Sequence, residues 1–497
     1  MPGLLGLPNE ILNHIIDDTI PESVEAFSES SMHISSLAHS RLHQHYDDVD
    51  SYCAITITNC GVDGPWIFSP LRFLKDILQK PSLIQYPQTL RLGEFDDDIN
   101  YEPPQSDELR AQVVKALIQR CHVPSDEIDE WATNICRGTF DTGTALLLAL
   151  LPNIQCLSIE GESCIGYYTR QMVFNIIEAS YDLRDAGRCL ALKRVVRVQM
   201  SNIGYGGGKE EMDILAQLSA LPSMRVLRCN GVIWPHTVIT NRSRHAPLGG
   251  VTRLEIIDSV LHPDYINRLL EGVRALTHFT YKLHAGFTVK RYPSDICKVL
   301  GQHVKDTLEE LDLTWYNFAP ASTKLASIDS LRDFRVLKKL RVKYKFIIVK
   351  GEDGNLAPAK LTSMLPSSLQ ELRLVGNYDP GQNERPFEEI KASSRWDFTQ
   401  LAKVFHGLPE MKEEALPNLV RVDCEGAYHE DYQRSRSCQK IREACARAGV
   451  ALNGLDPELC HKAWEDWPRC DGSPGRTPQQ QEGRWRSRYQ MFSSDSS

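Results

Sequence analysis

Residues 365–377 read LPSSLQELRLVGN, and this stretch predicts the fold of the whole chain. Leu369, Leu372 and Leu374 follow the spacing L-x-x-L-x-L, and Asn377 comes three residues later. Alternate side chains of a strand point to the same face, so the leucines share a buried face while the residues between them face solvent. A strand of this kind that recurs along a chain is typical of a repeat protein.

The same spacing recurs eight more times, with stretches of helical periodicity in the intervals. The strands are predicted around Leu157, Val196–Val198, Leu227–Cys229, Leu254–Ile256, Phe279, Leu311–Leu313, Leu340–Val342, Leu372–Leu374 and Val422–Cys424. The helices are predicted at 167–179, 212–220, 263–276, 294–307, 325–334 and 398–406. This order is that of leucine-rich repeats, with steps of 25 to 50 residues that indicate insertions. We therefore expect an α/β fold, an irregular leucine-rich-repeat solenoid with parallel strands on its concave side and helices on its convex side.

The solenoid is expected to occupy residues 49–452. Its initial segment, 49–105, carries predicted strands at 52–58 and 89–92 around a helix at 70–79. A further helix is expected at 107–120, another ends at Leu150, and a closing helix covers 433–448. Residues 453–497 form a C-terminal extension, which we expect to be disordered from about 470 because its Pro, Gly, Gln and Ser residues have little apolar surface to bury.

Charge and composition exclude several classes of partner. The formal net charge is −9 and the sequence pI is about 6.0, so no basic field predicts nucleic-acid binding. No apolar run approaches the roughly 20 residues that cross a bilayer, and the first residues lack the basic start of a signal peptide. The fourteen cysteines include no C-x-x-C pair and are expected to be reduced thiols. These observations predict a protein of the cytoplasm or nucleus without membrane partners.

The first fifty residues predict three short helices with more apolar surface than they can bury among themselves. The first helix has a stripe at i, i+4, i+5, i+8 and i+9, formed by Leu7, Ile11, Leu12, Ile15 and Ile16. Val24 and Phe27 lie three apart on the second helix, and the third is predicted to end near His45. Either the first repeat covers this surface, which makes the helices a cap, or another protein does.

The opening residues resemble an F-box. They read L-P-x-E-I-L-x-x-I from Leu7, then P-E-S-V-E-A-F at 21–27, and the resemblance covers residues 1–48. Together with the repeats, the chain is similar to fungal F-box proteins with leucine-rich repeats. In that family the helices dock a Skp-type adaptor of cullin-RING (SCF-type) ubiquitin ligases. The resemblance implies that the adaptor contacts Leu7, Pro8, Ile11, Leu12, Ile15, Val24 and Phe27.

If the resemblance holds, the chain is the substrate-recognition subunit of such a ligase, and its repeats bind a target protein. By strand alternation, the residues expected to face this target include Gln199, Arg228, Asn230, Glu255, Asp312, Arg341, Lys343, Arg373 and Asp423. The four cations in this set suggest an acidic or phosphorylated patch on the target. The alternative is a repeat scaffold that binds a protein without a ligase, with the N-terminal helices serving as a cap.

Motifs with catalytic or metal-binding potential are incomplete, so we expect no enzyme activity and no cofactor. The run GYGGGK at 204–209 has glycine spacing one residue short of a phosphate-binding loop, and Glu210 stands where a hydroxyl is needed. The G-x-S-x-x-G run at 161–166 is one residue longer than a nucleophile elbow. His39 and His43 lie one helical turn apart with His45 and Asp47 close behind, but the sequence has no H-E-x-x-H glutamate and no nearby cysteine, so a solvated helix face is expected instead of a zinc site.

Overall fold

The chain forms two compact units in a computed structural model: Met1–His284 with Lys298–Leu308, and Ala285–Cys297 with Glu309–Ser497. The structure describes residues 4–58, 67–93, 107–121, 123–161, 165–181, 191–201, 214–215, 217–234, 249–283, 292–315, 328, 330–350, 356–358, 361–376, 398–425 and 436–453. Asn377, the glycine run at 204–209 and the C-terminal extension beyond 453 lie outside these ranges, as do residues 162–164 of the G-x-S-x-x-G run.

Helices and strands alternate along most of the described chain. The helices are α1 (Asn9–Thr19), α2 (Val24–Glu29), α3 (Met32–Tyr52), α4 (Pro70–Gln79), α5 (Asp107–Arg120), α6 (Ile128–Cys136), α7 (Phe140–Leu150), α8 (Tyr167–Tyr181), α9 (Pro263–Leu270), α10 (Tyr292–His303), α11 (Leu361–Met364), α12 (Phe398–Phe405), α13 (Leu408–Glu414) and α14 (Arg436–Arg447). The strands are β1 (Ala54–Ile57), β2 (Ile67–Phe68), β3 (Thr89–Leu92), β4 (Cys156–Glu160), β5 (Arg197–Ser201), β6 (Val226–Asn230), β7 (Ile233–Trp234), β8 (Arg253–Leu261), β9 (His278–Leu283), β10 (Glu310–Trp315), β11 (Lys339–Lys343), β12 (Ile348–Lys350), β13 (Leu356–Pro358), β14 (Glu371–Val375), β15 (Arg421–Glu425) and β16 (Ala451–Asn453).

In the first unit, consecutive strands pair side by side in the order β2-β1-β3-β4-β5-β6-β8-β9, and β7 also pairs with β8. Every one of these pairs is parallel. The register places Leu90, Leu157, Val198, Leu227, Leu254 and Phe279 in one continuous row. Each of these side chains is at most 2% exposed, so the row is the core that successive strands share.

The second unit repeats this arrangement with β10-β11-β14-β15-β16, again parallel throughout. Leu311, Leu340, Leu372, Val422 and Leu452 form its row. The leucines of the stretch at 365–377 therefore occupy the positions that their spacing predicts. A separate antiparallel pair, β12 with β13, was not predicted.

Parallel strands need long crossover connections, and helices supply them. In the first unit, α7 packs against both α4 and α8. The carboxylate of Asp141, in the first turn of α7, accepts hydrogen bonds from the backbone N–H groups of Gly166, Tyr168 and Thr169 at 3.1, 2.7 and 3.0 Å. These N–H groups belong to the start of α8, where an anion is favoured by unpaired donors and by the helix dipole. Asp141 thus fixes one crossover helix on the next.

The strand predictions are confirmed. Each predicted repeat strand coincides with an observed one, from β4 to β15, and β3, α4 and α5 have the predicted bounds. Cys229 and Cys424 occupy buried strand positions, and the nine cysteines in the described ranges are free thiols. The overall class, α/β with a parallel sheet, is therefore as expected.

Three predictions of local structure were wrong. The helix predicted at 263–276 ends at Leu270, and Gly272 follows with a positive φ of 88° that no α-helix continues through. The part of 325–334 that the structure describes contains turns and no helix, because Leu331 donates its backbone N–H to Met364 O at 2.7 Å instead of closing a helical turn. Helix α3 does not end near His45 but continues to Tyr52, so β1 begins at Ala54. His45 and Asp48 are buried in this part of α3, so packing against the rest of the chain stabilises the added turns.

Candidate functional site

Helix α1 has three distinct faces, and the first of them is buried in the hydrophobic core. Leu12 and Ile16 are fully buried. Ile16 packs with Val24 of α2 and with Ile34 and Ala38 of α3. This cluster holds the three N-terminal helices together.

The second face of α1 is polar and is hydrogen-bonded to α3. Asn9, Asn13 and Asp17 are four residues apart, so they lie in one line along the helix. The Nε2 atom of His33 lies 3.1 Å from Asn9 Oδ1, and Arg41 donates to Asn13 Oδ1 at 3.2 Å and to the Asp17 carboxylate. These bonds fix the orientation of α1 on α3.

The third face is apolar and open to solvent. At about 100° per residue, Ile11 and Ile15 lie opposite the polar line. Ile11 is 45% exposed, Pro8 is exposed, and Leu7 and Ile15 are half-buried. We call Leu7, Pro8, Ile11 and Ile15 the α1 stripe. Leu4 and Leu5, in the turn that precedes α1, add further exposed apolar surface at its amino end.

The structure separates the seven residues that were expected to contact an adaptor. The α1 stripe contains four of them on one accessible face. Leu12 and Val24 are instead fully buried, and Phe27 packs partly buried against the core cluster. A protein that docks on α1 cannot reach Leu12 or Val24 while the helices keep this packing, so we assign these two residues to the core.

The N-terminal helices are also fastened to the strands and helices that follow them in the first unit. Lys80, at the end of α4, forms an ion pair with the buried carboxylate of Asp48 at 2.7 Å. The Nδ1 atom of His45 lies 3.2 Å from the Tyr86 hydroxyl, and Arg194 pairs with Glu22 at 3.1 Å. The α1 stripe is therefore carried on an anchored support.

The second candidate surface consists, in each unit, of the strand residues that alternate with the buried residues. We call this surface the strand face. In the first unit, Gln199, Arg228 and Glu255 are register neighbours on this face, as sequence alternation predicted, and Asn230 lies two residues beyond Arg228. All four are partly exposed. The Arg228 guanidinium lies 3.8 Å from the Glu255 carboxylate, which also pairs with Arg253 at 3.1 Å.

The strand face of the second unit carries a denser network of opposite charges. Asp312, Arg341, Arg373 and Asp423 are consecutive register neighbours. Arg341 donates to Asp312 at 2.9 Å and makes three hydrogen bonds to the two carboxylate oxygens of Glu425, the shortest at 2.7 Å. Arg373 pairs with Asp423 at 3.3 Å and with Glu371 at 3.3 Å.

This pairing changes the interpretation of the cations. Arg228, Arg341 and Arg373 each contact at least one carboxylate, and Lys343 is only 4% exposed. Asp423 is 6% exposed and lies close to Arg421 as well as Arg373. The surface is thus one of compensated charge, and the expectation of a basic patch for an acidic or phosphorylated target has no support in the geometry.

Arg341 is the centre of the network. Burial by itself lowers the pKa of this guanidinium, but the carboxylates of Asp312 and Glu425 outweigh burial and raise it above its usual value. The side chain spans β10, β11 and β15, so it joins three strands through one cation.

Replacing Arg341 with Met is expected to reduce the free energy of unfolding of the second unit by about 2 kcal/mol, because two partly buried carboxylates lose their cation. The measurement is hydrogen exchange of the backbone N–H groups of residues 421–425 at increasing urea concentration, from which the urea midpoint of unfolding is obtained. Lys339→Met on the same strand is the control: its exposed pair with Glu310 predicts a change below about 0.5 kcal/mol. Equal effects of the two substitutions would contradict a central role for Arg341.

The other candidate sites in the described part of the chain have fewer side chains that are available to bind a ligand. An open pocket of about 480 Å³ is lined mainly by small residues, with Tyr181, Arg225 and Thr252 as its polar side chains. All three donate to main-chain carbonyls, Tyr181 to Ala220, Arg225 to Met224 and Thr252 to Arg225. The His39 and His43 rings pack edge to face at 4.6 Å, and no group of three or more metal-binding side chains occurs among the described residues.

Searches for related proteins do not assign the chain to a family. No family model matches it, and no curated protein matches its sequence. No helix within the described ranges has the length and apolar character that a membrane span requires.

Proposed function

We propose that the chain is the substrate-recognition subunit of a cullin-RING (SCF-type) ubiquitin ligase. Helices α1–α3, the F-box of this proposal, dock a Skp-type adaptor through the α1 stripe. The strand faces of the leucine-rich repeats bind the target protein. No covalent step is assigned to residues of this chain.

The observation that carries the proposal is the open face of α1. Helices α1–α3 pack with one another through Ile16 and Val24, yet α1 leaves Ile11 and Pro8 exposed on another side. Apolar side chains aligned on one exposed helix face are typical of a surface that another protein covers. The resemblance of L-P-x-E-I-L-x-x-I to an F-box supports a Skp-type adaptor as that protein.

A scaffold without a ligase is the second candidate, and the anchoring of α3 favours it. The contacts of Asp48 with Lys80 and of His45 with Tyr86 are those expected of a cap that closes the end of a sheet. A cap explains the buried half of α3 but gives no role to the α1 stripe. The ligase proposal accounts for both, because a docking helix needs a firm support.

The two candidates differ in one binding measurement. The purified full chain should co-elute with a purified Skp-type adaptor in size-exclusion chromatography, and the adaptor should slow hydrogen exchange in residues 4–20. Exchange in β14 and β15, on the other unit, should not change. A folded chain that neither co-elutes nor gains protection would favour the scaffold.

A further inference from the structure

The charge of the chain is concentrated in its first helices. Residues 1–52 contain nine Asp and Glu against one Arg, a formal net charge of −8, whereas the whole chain has −9. The remaining residues are therefore nearly neutral in sum. The acidic helices α1–α3 therefore carry a local excess of negative charge that steers a basic partner towards them.

Several of these acids are already neutralised by contacts within the first unit. Asp17 pairs with Arg41, Glu22 with Arg194, and Asp48 with Lys80. These three pairs neutralise three of the nine acids of residues 1–52.

Glu10 and Asp18 differ from these acids. Both are exposed on α1, and neither forms an ion pair within the part of the chain that the structure describes. Asp18 comes seven residues after Ile11, two helical turns along the same line, and Glu10 immediately precedes Ile11. The α1 stripe therefore has one carboxylate without an ion pair beside Ile11 and another beyond Ile15.

We propose that the α1 stripe docks in an apolar groove whose border carries lysine or arginine side chains, placed to meet Glu10 and Asp18. This inference rests on the proposed function, because it specifies the partner chemistry of the same stripe. The apolar contact supplies most of the affinity, and the border charges accelerate encounter and exclude partners with an acidic border.

The test measures binding of a purified Skp-type adaptor to the full chain and to Glu10→Gln/Asp18→Asn. Both substitutions remove charge with little change of shape. At 150 mM NaCl we expect the association rate to fall about fivefold, with the dissociation rate nearly unchanged. At 500 mM NaCl the two proteins should differ by less than about twofold, because salt screens exposed charges.

Asp47→Asn/Asp50→Asn is the matched control. It changes the net charge equally, and both residues are exposed on α3. Asp47 and Asp50 lie six and nine residues beyond Arg41, about 9 and 13 Å along the helix at 1.5 Å per residue. Both distances exceed the Debye length of about 8 Å at 150 mM, so the control should lose much less of its association rate than Glu10→Gln/Asp18→Asn.

The results separate this inference from the proposed function. An adaptor that binds as fast after Glu10→Gln/Asp18→Asn overturns the basic border but leaves docking intact. An equal loss in the control overturns it too, because net charge alone would then explain the rate. No adaptor binding at either salt concentration overturns both proposals. Self-association through the stripe, abolished by Ile11→Asp, would show a second copy as its partner and also overturn the inference.

Discussion

Substitution of Ile11 by Asp is expected to weaken binding of a Skp-type adaptor at least about 100-fold. In the complex that we propose, the new carboxylate would be buried in an apolar groove without a counter-ion, which costs several kcal/mol. Each 1.4 kcal/mol corresponds to a tenfold loss of affinity. Titration calorimetry of the purified chain with the adaptor measures this change.

The fold should tolerate the substitution, because Ile11 is 45% exposed and takes no part in the core cluster. We expect hydrogen exchange in α1–α3 to stay close to that of the unaltered chain. Ser40→Asp, an exposed position on α3, adds the same charge away from the stripe and should retain full affinity. Full affinity of the Ile11→Asp variant would refute docking through this face.

Asp141→Ala is expected to reduce the free energy of opening of α8 by about 3 kcal/mol. The substitution removes a charged acceptor from three backbone N–H groups at the helix start, of which that of Thr169 belongs to a buried residue. Hydrogen exchange in peptides covering 166–181 measures the change. Asp141→Asn keeps one acceptor oxygen without the charge and should lose less.

Asp129→Ala provides the control for this prediction. Asp129 is also in the first turn of its helix, α6, but its side chain is 92% exposed and pairs with Arg110 at the surface. Its loss should change stability by less than about 0.5 kcal/mol. If Asp141→Ala behaves like Asp129→Ala, the carboxylate does not hold α8 in place.

The sequence predicts the strands well because their signal is local. In β14, Leu372 and Leu374 are buried and the residues that alternate with them are partly exposed. The same alternation fixes the register of the neighbouring strands. Helix α6 was missed although Trp131, Ala132, Ile135 and Cys136 mark one buried face. That signal was present and would have been sufficient.

The functional surfaces are less predictable, because they depend on which neighbour covers each side chain. A wide apolar arc on α1 predicts a helix, but it does not tell whether Ile11 or Leu12 faces the core. Likewise, the arginines of the strand faces resemble a basic patch until the register brings Glu425 to Arg341 from a strand 84 residues away. Such pairings are set by tertiary structure and not by local spacing.

The single helix α3 joins the core cluster, through Leu42, to the contact with Tyr86, through His45. No turn interrupts this helix between the two contacts. The rotation of the core cluster about the α3 axis is therefore fixed relative to the contact with Tyr86. One residue inserted there would swing α1 by about 100° around the α3 axis and shift it by about 1.5 Å. The orientation of the α1 stripe relative to the strands of the first unit is therefore set by the number of residues between Leu42 and His45, which constrains the length of α3 there as well as its composition.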